Sequence, residues 1–371
     1  MTAVRILAFL AGFVVVVWIG WSAIKIVVVP RGEQVRLGRW VFLVVREGFE
    51  FVARRARTYE GYDRIMARYG PSALLVLPLV WALGMFAAFI PMYWALGTSW
   101  REALIASGSS YTTLGFDRPG PLAAQVLCFT EALIGLGLVA LLISYLPTLY
   151  TEFARRESEV VKLETRAGSP PRADTFLVRI HRIRGLDYFA DAWEDWEQWF
   201  VELEESHTSQ PAMAFFRSPR PNSSWITAAG AVMDTAALSI SCLEIDPNPQ
   251  AQVMIRSGFL ALRAIATFFH LPYDADPTPD APISVTRQEF DELMATLTEA
   301  GLPVKDDLDQ AWRDYSGWRV NYDEPLLRLC ALVSAPVAPW SSDRVEYFGG
   351  GAVLFVATVR PCPADSTPTP P

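Results

Sequence analysis

The stretch that decides the fold is Ser99-Trp100-Arg101-Glu102-Ala103-Leu104-Ile105-Ala106-Ser107-Gly108-Ser109-Ser110-Tyr111, followed at once by Thr112-Thr113-Leu114-Gly115-Phe116-Asp117. The first part reads as a short helix and is too apolar for a plain exposed loop. About 13 helical residues rising 1.5 Å each cover roughly 20 Å, enough to descend only part of the way through a bilayer before the chain turns back. A re-entrant backbone of this kind is tolerated only where protein or a water-filled cavity surrounds it.

What flanks the stretch supports that reading. An uncharged run covers Pro71 to Trp100, and another extends from Pro119 to Thr151 with Glu131 as its one ionisable group. These are the second and third such runs in chain order; the first, Ile6 to Ile24, continues past Lys25 into Ile26-Val27-Val28-Val29. Each reaches the roughly 20 residues that span hydrocarbon. The first run exceeds the h-region of a secretory signal and no small-x-small cleavage site follows it, so it is read as a retained helix.

The segment between the first two runs holds nine arginines against five acids, and Arg155 and Arg156 follow the third run. By the positive-inside rule both regions are cytoplasmic and the amino terminus is outside. The Ser99–Asp117 stretch is then external. The linker 31–70 alternates Trp40, Phe42, Leu43, Phe49, Phe51 and Val52 with arginines, which suits an amphipathic helix on the anionic inner leaflet; a gating role is the other reading.

A short helix, a threonine-glycine strand and a second span resemble the pore unit of the potassium-channel superfamily, whose filter reads Thr-x-Gly-(Tyr/Phe)-Gly-Asp. The matching residues are Thr113, Leu114, Gly115 and Phe116, with Asp117 standing where the second glycine would be. An ion losing its water shell must be met by rings of backbone carbonyls, so a filter strand points successive carbonyls at one axis. The resemblance covers about residues 71–155 and implies a filter of Thr112, Thr113, Leu114, Gly115, Phe116 and Asp117, a homotetramer around one axis, and a monovalent cation, potassium first, as the permeant species. Asp117 either forms an acidic ring at the axis or anchors the strand from behind. Gly135 and Gly137, mid-way along the third span, serve as a gating hinge or as close-packing positions. Glu131 lies on the order of 15 Å deep, where an unpaired carboxylate is costly, and is expected to brace the pore helix through Ser109, Ser110 or Tyr111.

The remainder of the chain is polar and acidic. Residues 1–150 carry 13 basic and 8 acidic side chains, residues 151–371 carry 19 and 32, and the whole chain has mean hydropathy +0.22. An acidic half without a basic face excludes nucleic acid as a partner. Cys128, Cys242, Cys330 and Cys362 form no CxxC pair, which fits a reducing cytoplasm. With only three lysines, the basic charge is almost all arginine, as in a GC-rich bacterial genome.

Thr151 to Thr165 reads as a charged continuation of the third span, and Gly168-Ser169-Pro170-Pro171 as a domain boundary. Leu186, Phe189, Trp193, Trp196, Phe200 and Leu203 recur at helical spacing among acids, a core stripe with a solvated face. Further helices are expected at about 222–244, 248–269, 284–300 and 304–333, with Ser284 as a cap candidate, a short strand over Ala352 to Val359, and a disordered Pro361–Pro371 tail. No cofactor, catalytic constellation or metal site beyond the permeating cation is expected. His207 to Pro219 and Trp312 to Trp340 resemble the helical cytoplasmic region of bacterial ion-channel-like proteins.

The expectation is thus an all-α membrane protein. It comprises an additional amino-terminal transmembrane helix (1–30), an Arg-rich cytoplasmic linker (31–70), a helix, pore loop and helix (71–150), an acidic all-helical cytoplasmic domain (151–345) and a tail (346–371). The function expected is a multi-pass cation channel of the bacterial inner membrane in contact with the lipid bilayer, gated through its cytoplasmic domain. The alternative is a non-conducting, membrane-anchored sensor or scaffold.

Overall fold

The computed structural model describes residues 2–29, 35–186, 189–246 and 248–345. These residues form helices and no strand, with one isolated antiparallel bridge between Leu243 and Val304. The expected strand at Ala352–Val359 and the tail lie outside the described residues.

Four helical stretches are long and apolar enough to cross a membrane: Ala3–Val27, Tyr59–Ala95, Leu122–Ala167 and Trp225–Cys242. The most apolar windows of the first and third are 17% buried by protein, against 94% for the fourth. A helix that is apolar all round needs an apolar environment, and the fourth receives it from its own domain.

The chain divides into two compact units, Met1–Glu152 and Phe153–Pro371. The first contains α1 (Thr2–Val27), α2 (Arg36–Ala53), α3 (Tyr59–Met66), α4 (Tyr69–Ala95) and α5 (Trp100–Tyr111); α6 (Leu122–Ala167) contributes to both units. Its core joins Ile19 and Ala23 of α1 to Trp81, Met85, Phe89 and Tyr93 of α4, Ala103 and Ala106 of α5, and Ala124 and Leu127 of α6. The amphipathic linker is two helices: α2 starts without a side-chain cap, and Thr58 caps α3 by accepting from the Gly61 N–H.

The second unit holds the end of α6, α7 (Ala173–Arg184), α8 (Phe189–Ser209), α9 (Trp225–Cys242), α10 (Pro249–Phe268), α11 (Arg287–Glu299), α12 (Leu308–Arg319) and α13 (Asp323–Val333). Gly168 to Pro171 is a turn inside this unit. In the α8 stripe, Trp193, Trp196, Phe200 and Leu203 are buried core and Leu186 is half-buried; the side chain of Phe189 is outside the description.

Two local expectations require correction. The span 304–333 is two helices, because Pro325 has no N–H to give the Asn321 carbonyl, which a continuous helix would require. That carbonyl accepts from Arg263 Nε at 3.0 Å instead, and Pro325 sits in the first turn of α13, where a missing N–H costs little. The cap of α11 is Thr286, not Ser284: Thr286 lies three residues before Glu289 and the two form a reciprocal capping box. Ser284 instead gives its N–H and hydroxyl to the two carboxylate oxygens of Asp323, at 2.8 and 2.7 Å.

Asp323 belongs to a buried charge network that runs through α9. The Arg319 guanidinium, fully buried, places Nη1 at 2.6 and 2.7 Å from the Asp234 carboxylate and Nε at 2.7 Å from Asp323. Tyr322 and Tyr315 donate to Asp234 at 2.8 and 3.3 Å. A buried guanidinium is tolerable because every direction it faces holds an acceptor.

Candidate functional site

The site is built on α5. Ser99 caps it by accepting from the Glu102 N–H at 3.3 Å, while the Glu102 carboxylate accepts from the Ser99 N–H at 2.8 Å. Trp94 and Trp100 stack with centroids 5.2 Å apart across the entry turn. These contacts fix where the twelve residues of α5 begin and therefore where they end.

At the other end the chain reverses within a few residues. Thr113 has φ +57 and Gly115 φ +67, with no positive φ at Leu114 or Phe116 between and after them. This alternation turns successive peptide groups the same way. The N–H groups of Leu114 and Gly115 donate to the Ser109 carbonyl at 3.0 and 3.3 Å, that of Thr113 to the Ser110 carbonyl at 2.9 Å, and that of Asp117 to the Ser109 hydroxyl at 3.1 Å.

All four donors are thus directed back at the carboxyl-terminal end of α5. Among the described residues, the carbonyls of Thr113, Leu114, Gly115 and Phe116 accept no hydrogen bond. This segment is exposed, Leu114 and Phe116 each at 69%. Thr112 folds its hydroxyl onto the Gly108 carbonyl at 2.6 Å, and Thr113 its own onto the Thr112 carbonyl at 2.7 Å.

Glu131 stands behind α5 and is fully buried. Its Oε1 accepts from the Ser107 hydroxyl at 2.6 Å and its Oε2 from the Tyr93 hydroxyl at 2.7 Å. The donors therefore differ from those expected. Ser110 reaches Glu131 only through Tyr93, whose hydroxyl is 3.4 Å from Ser110 Oγ; Ser109 is engaged by the loop backbone; and Tyr111 lies against Gly135. One helical turn explains the choice, since Ser107 and Ser110 share a face of α5 while Ser109 lies about 100° from Ser110 and faces the loop. The carboxylate joins α4, α5 and α6 at a single point.

The two glycines of α6 differ. A Cβ on Gly135 would lie 2.8 Å from the Tyr111 carbonyl oxygen, whereas Gly137 has open space around it. Gly135 therefore permits close approach of α6 to the end of α5. The α6 helix runs unbroken past both, and carries Pro147 further along, a position where the Ile143 carbonyl loses its helical donor. Tyr93, Ser107 and Pro147 were not singled out in the sequence. Their signal was available: each is a polar or helix-breaking residue inside an apolar run, and Glu131 demanded partners.

In the second unit, Arg156 of α6 is buried and fully engaged. It donates to the Met213 and Phe216 carbonyls at 2.8 and 2.6 Å, to Glu157 Oε1 at 2.8 Å and to His207 Nε2 at 3.3 Å. His207 Nδ1 lies 2.9 Å from the Leu203 carbonyl, so Nδ1 carries the proton and Nε2 is the acceptor. Burial, and then the adjacent Arg156 charge, hold the His207 imidazole well below the usual histidine range. Among the described residues no cluster of His, Cys, Asp and Glu has the makings of a metal site.

Comparison with known proteins returns no match among family models, curated proteins or solved structures.

Proposed function

We propose that the chain is a cation channel of a bacterial inner membrane, with α1, α4 and α6 as spans, α5 as a re-entrant pore helix and Thr112–Asp117 as its filter. The observation that carries this reading is the back-bonded loop. Among the described residues four consecutive carbonyls, Thr113 to Phe116, accept no hydrogen bond, while the N–H groups of Thr113, Leu114, Gly115 and Asp117 donate to α5. In hydrocarbon such carbonyls are costly; around an axis they replace the hydration shell of an ion.

One strand cannot surround an axis, so the functional unit is a homotetramer, in which neighbouring copies cover Leu114 and Phe116. The anchoring of Asp117 through its N–H to Ser109 favours the reading in which this position ties the strand from behind. The acidic carboxyl-terminal part of the chain, with 32 acids against 19 basic groups in residues 151–371, lies in the cytoplasm.

The test is potassium flux from proteoliposomes. Wild-type protein conducts, and Gly115→Ala, which puts a Cβ on a residue at φ +67, does not. Absence of flux from wild type would favour the non-conducting sensor or scaffold alternative, and equal flux from both would count against conduction through this loop.

A further inference from the structure

The connection between α1 and α4 carries more than a linker needs. It leaves α1 at Val27, forms α2 and α3, and returns to α4 at Tyr69, so α2 lies beside the same ends of two membrane-length helices. One side of α2 is seated there. Gly38 lies against Ile26 of α1, the Tyr69 hydroxyl donates to the Phe42 carbonyl at 3.2 Å, and Phe42 and Phe49 each hold the Tyr69 ring at 6.3 Å.

The other side is not covered by the chain. Trp40, Val44 and Phe51, at spacings of four and seven, fall within about 40° of one another on the helix and are 68%, 61% and 64% exposed. Arginines border them: Arg36, Arg39, Arg54 and Arg55 are exposed, and the Arg55 guanidinium lies 4.0 Å over the Phe51 ring. The two acids of this helix, Glu47 and Glu50, do not balance the five arginines Arg36, Arg39, Arg46, Arg54 and Arg55: Glu50 is taken up by Arg46 at 2.7 Å and Arg54 at 3.5 Å, and Glu47, exposed on the same face as Trp40, Val44 and Phe51, is the one carboxylate carried to the headgroup level with them. An apolar ridge edged by guanidinium groups at the end of membrane-spanning helices matches one surface chemically, the boundary between acyl chains and phosphate headgroups.

We infer that the outer face of α2 docks on anionic lipid, with Trp40, Val44 and Phe51 entering the acyl boundary and Arg36, Arg39, Arg54 and Arg55 engaging phosphates. The inference rests on the reading of α1 and α4 as spans and is independent of conduction. Docking holds the cytoplasmic ends of α1 and α4 to the composition of the inner leaflet.

Amide hydrogen exchange of the full chain in nanodiscs tests it. One set is pure phosphatidylcholine; the other contains phosphatidylglycerol at roughly one part in four, a surface that attracts each nearby arginine. Exchange across 36–53 is expected to be about tenfold slower with phosphatidylglycerol. Combining Arg36→Gln, Arg39→Gln, Arg54→Gln and Arg55→Gln removes the lipid difference, and Trp40→Ser with Phe51→Ser speeds exchange of α2 in both lipids. Equal rates in the two lipids, or a difference that survives the four glutamines, would overturn the docking while α1 and α4 stay protected. Rapid exchange of α1 and α4 themselves in both discs would overturn the membrane reading and the docking with it.

Discussion

Tyr93→Phe removes a single oxygen from the core of the first unit and should loosen the whole site. Tyr93 is fully buried and its ring packs 6.4 Å from Phe89, so phenylalanine keeps the packing and deletes the hydroxyl that donates to Glu131 Oε2 at 2.7 Å and lies 3.4 Å from Ser110 Oγ and 3.3 Å from Cys128 Sγ. A hydrogen bond to a charged group contributes about 1.5–3 kcal/mol. Measured interhelical bonds in membranes average about 0.6 and reach about 1.7 kcal/mol. With a carboxylate acceptor whose one other donor among the described residues is Ser107, a loss of about 1.5–2 kcal/mol is expected.

Cys128 is a local reporter, because its sulfur lies 3.3 Å from the Tyr93 hydroxyl between the helices that Glu131 joins. Thiol labelling of Cys128, resolved by peptide mass spectrometry in detergent-solubilised full-length protein, should quicken roughly 10- to 30-fold in Tyr93→Phe, since each 1.36 kcal/mol is a factor of ten. Ser107→Ala, which does not touch Cys128, should give a similar increase by removing the other donor. In a Glu131→Gln background both increases should shrink to within about threefold, the signature of a shared acceptor. Labelling of Tyr93→Phe and Ser107→Ala within twofold of wild type would refute the brace.

Three further outcomes are expected. Gly135→Ala should destabilise the first unit by about 1–3 kcal/mol in detergent-driven unfolding, because its methyl group would meet the Tyr111 carbonyl, while Gly137→Ala should be neutral. Arg319→Ala leaves the Asp234 and Asp323 carboxylates buried without their cation and should cost the second unit about 3–5 kcal/mol in urea unfolding followed by tryptophan emission. His207 is held neutral in the fold, so its contribution is complete above the unfolded histidine pKa of about 6.5 and is lost as pH falls below it towards the depressed folded value, by up to about 1.4 kcal/mol per pH unit. His207→Gln, which keeps an acceptor for Arg156, should flatten that part of the urea-midpoint profile between pH 6.5 and 5 relative to wild type.

How far the sequence could be read depended on the range of the interactions concerned. The apolar stretches and the amphipathic α2 are properties of composition and local period, and were legible. Gly115 was legible for the same reason, because the unusual dihedrals of such a loop call for glycine; that Thr113, a β-branched residue, also adopts φ +57 was not. The partners of Glu131 were not legible: Tyr93 is 38 positions away in an apolar run, and its hydroxyl is brought to the carboxylate only by helix packing.

Hydropathy also cannot distinguish lipid from protein as the apolar surroundings. Trp225–Cys242 is as long as a span and its environment is Arg319, Tyr322 and a packed core. Its sign of difference is Asp234, a charge whose partner comes from a distant helix. The short α7 is not legible from its sequence because Phe176, Leu177 and Ile180 are interspersed with arginines over only twelve residues.

The central claim is that the carbonyls of Thr113 to Phe116 face a permeating ion. Anomalous diffraction from crystals grown in a thallium salt, thallium standing in for potassium, addresses it directly. Four chains around one axis are expected, with thallium density in contact with those carbonyls and the Glu131–Ser107–Tyr93 contacts intact behind them. A structure in which the same carbonyls meet protein or detergent, with no ion density on an axis, would contradict it.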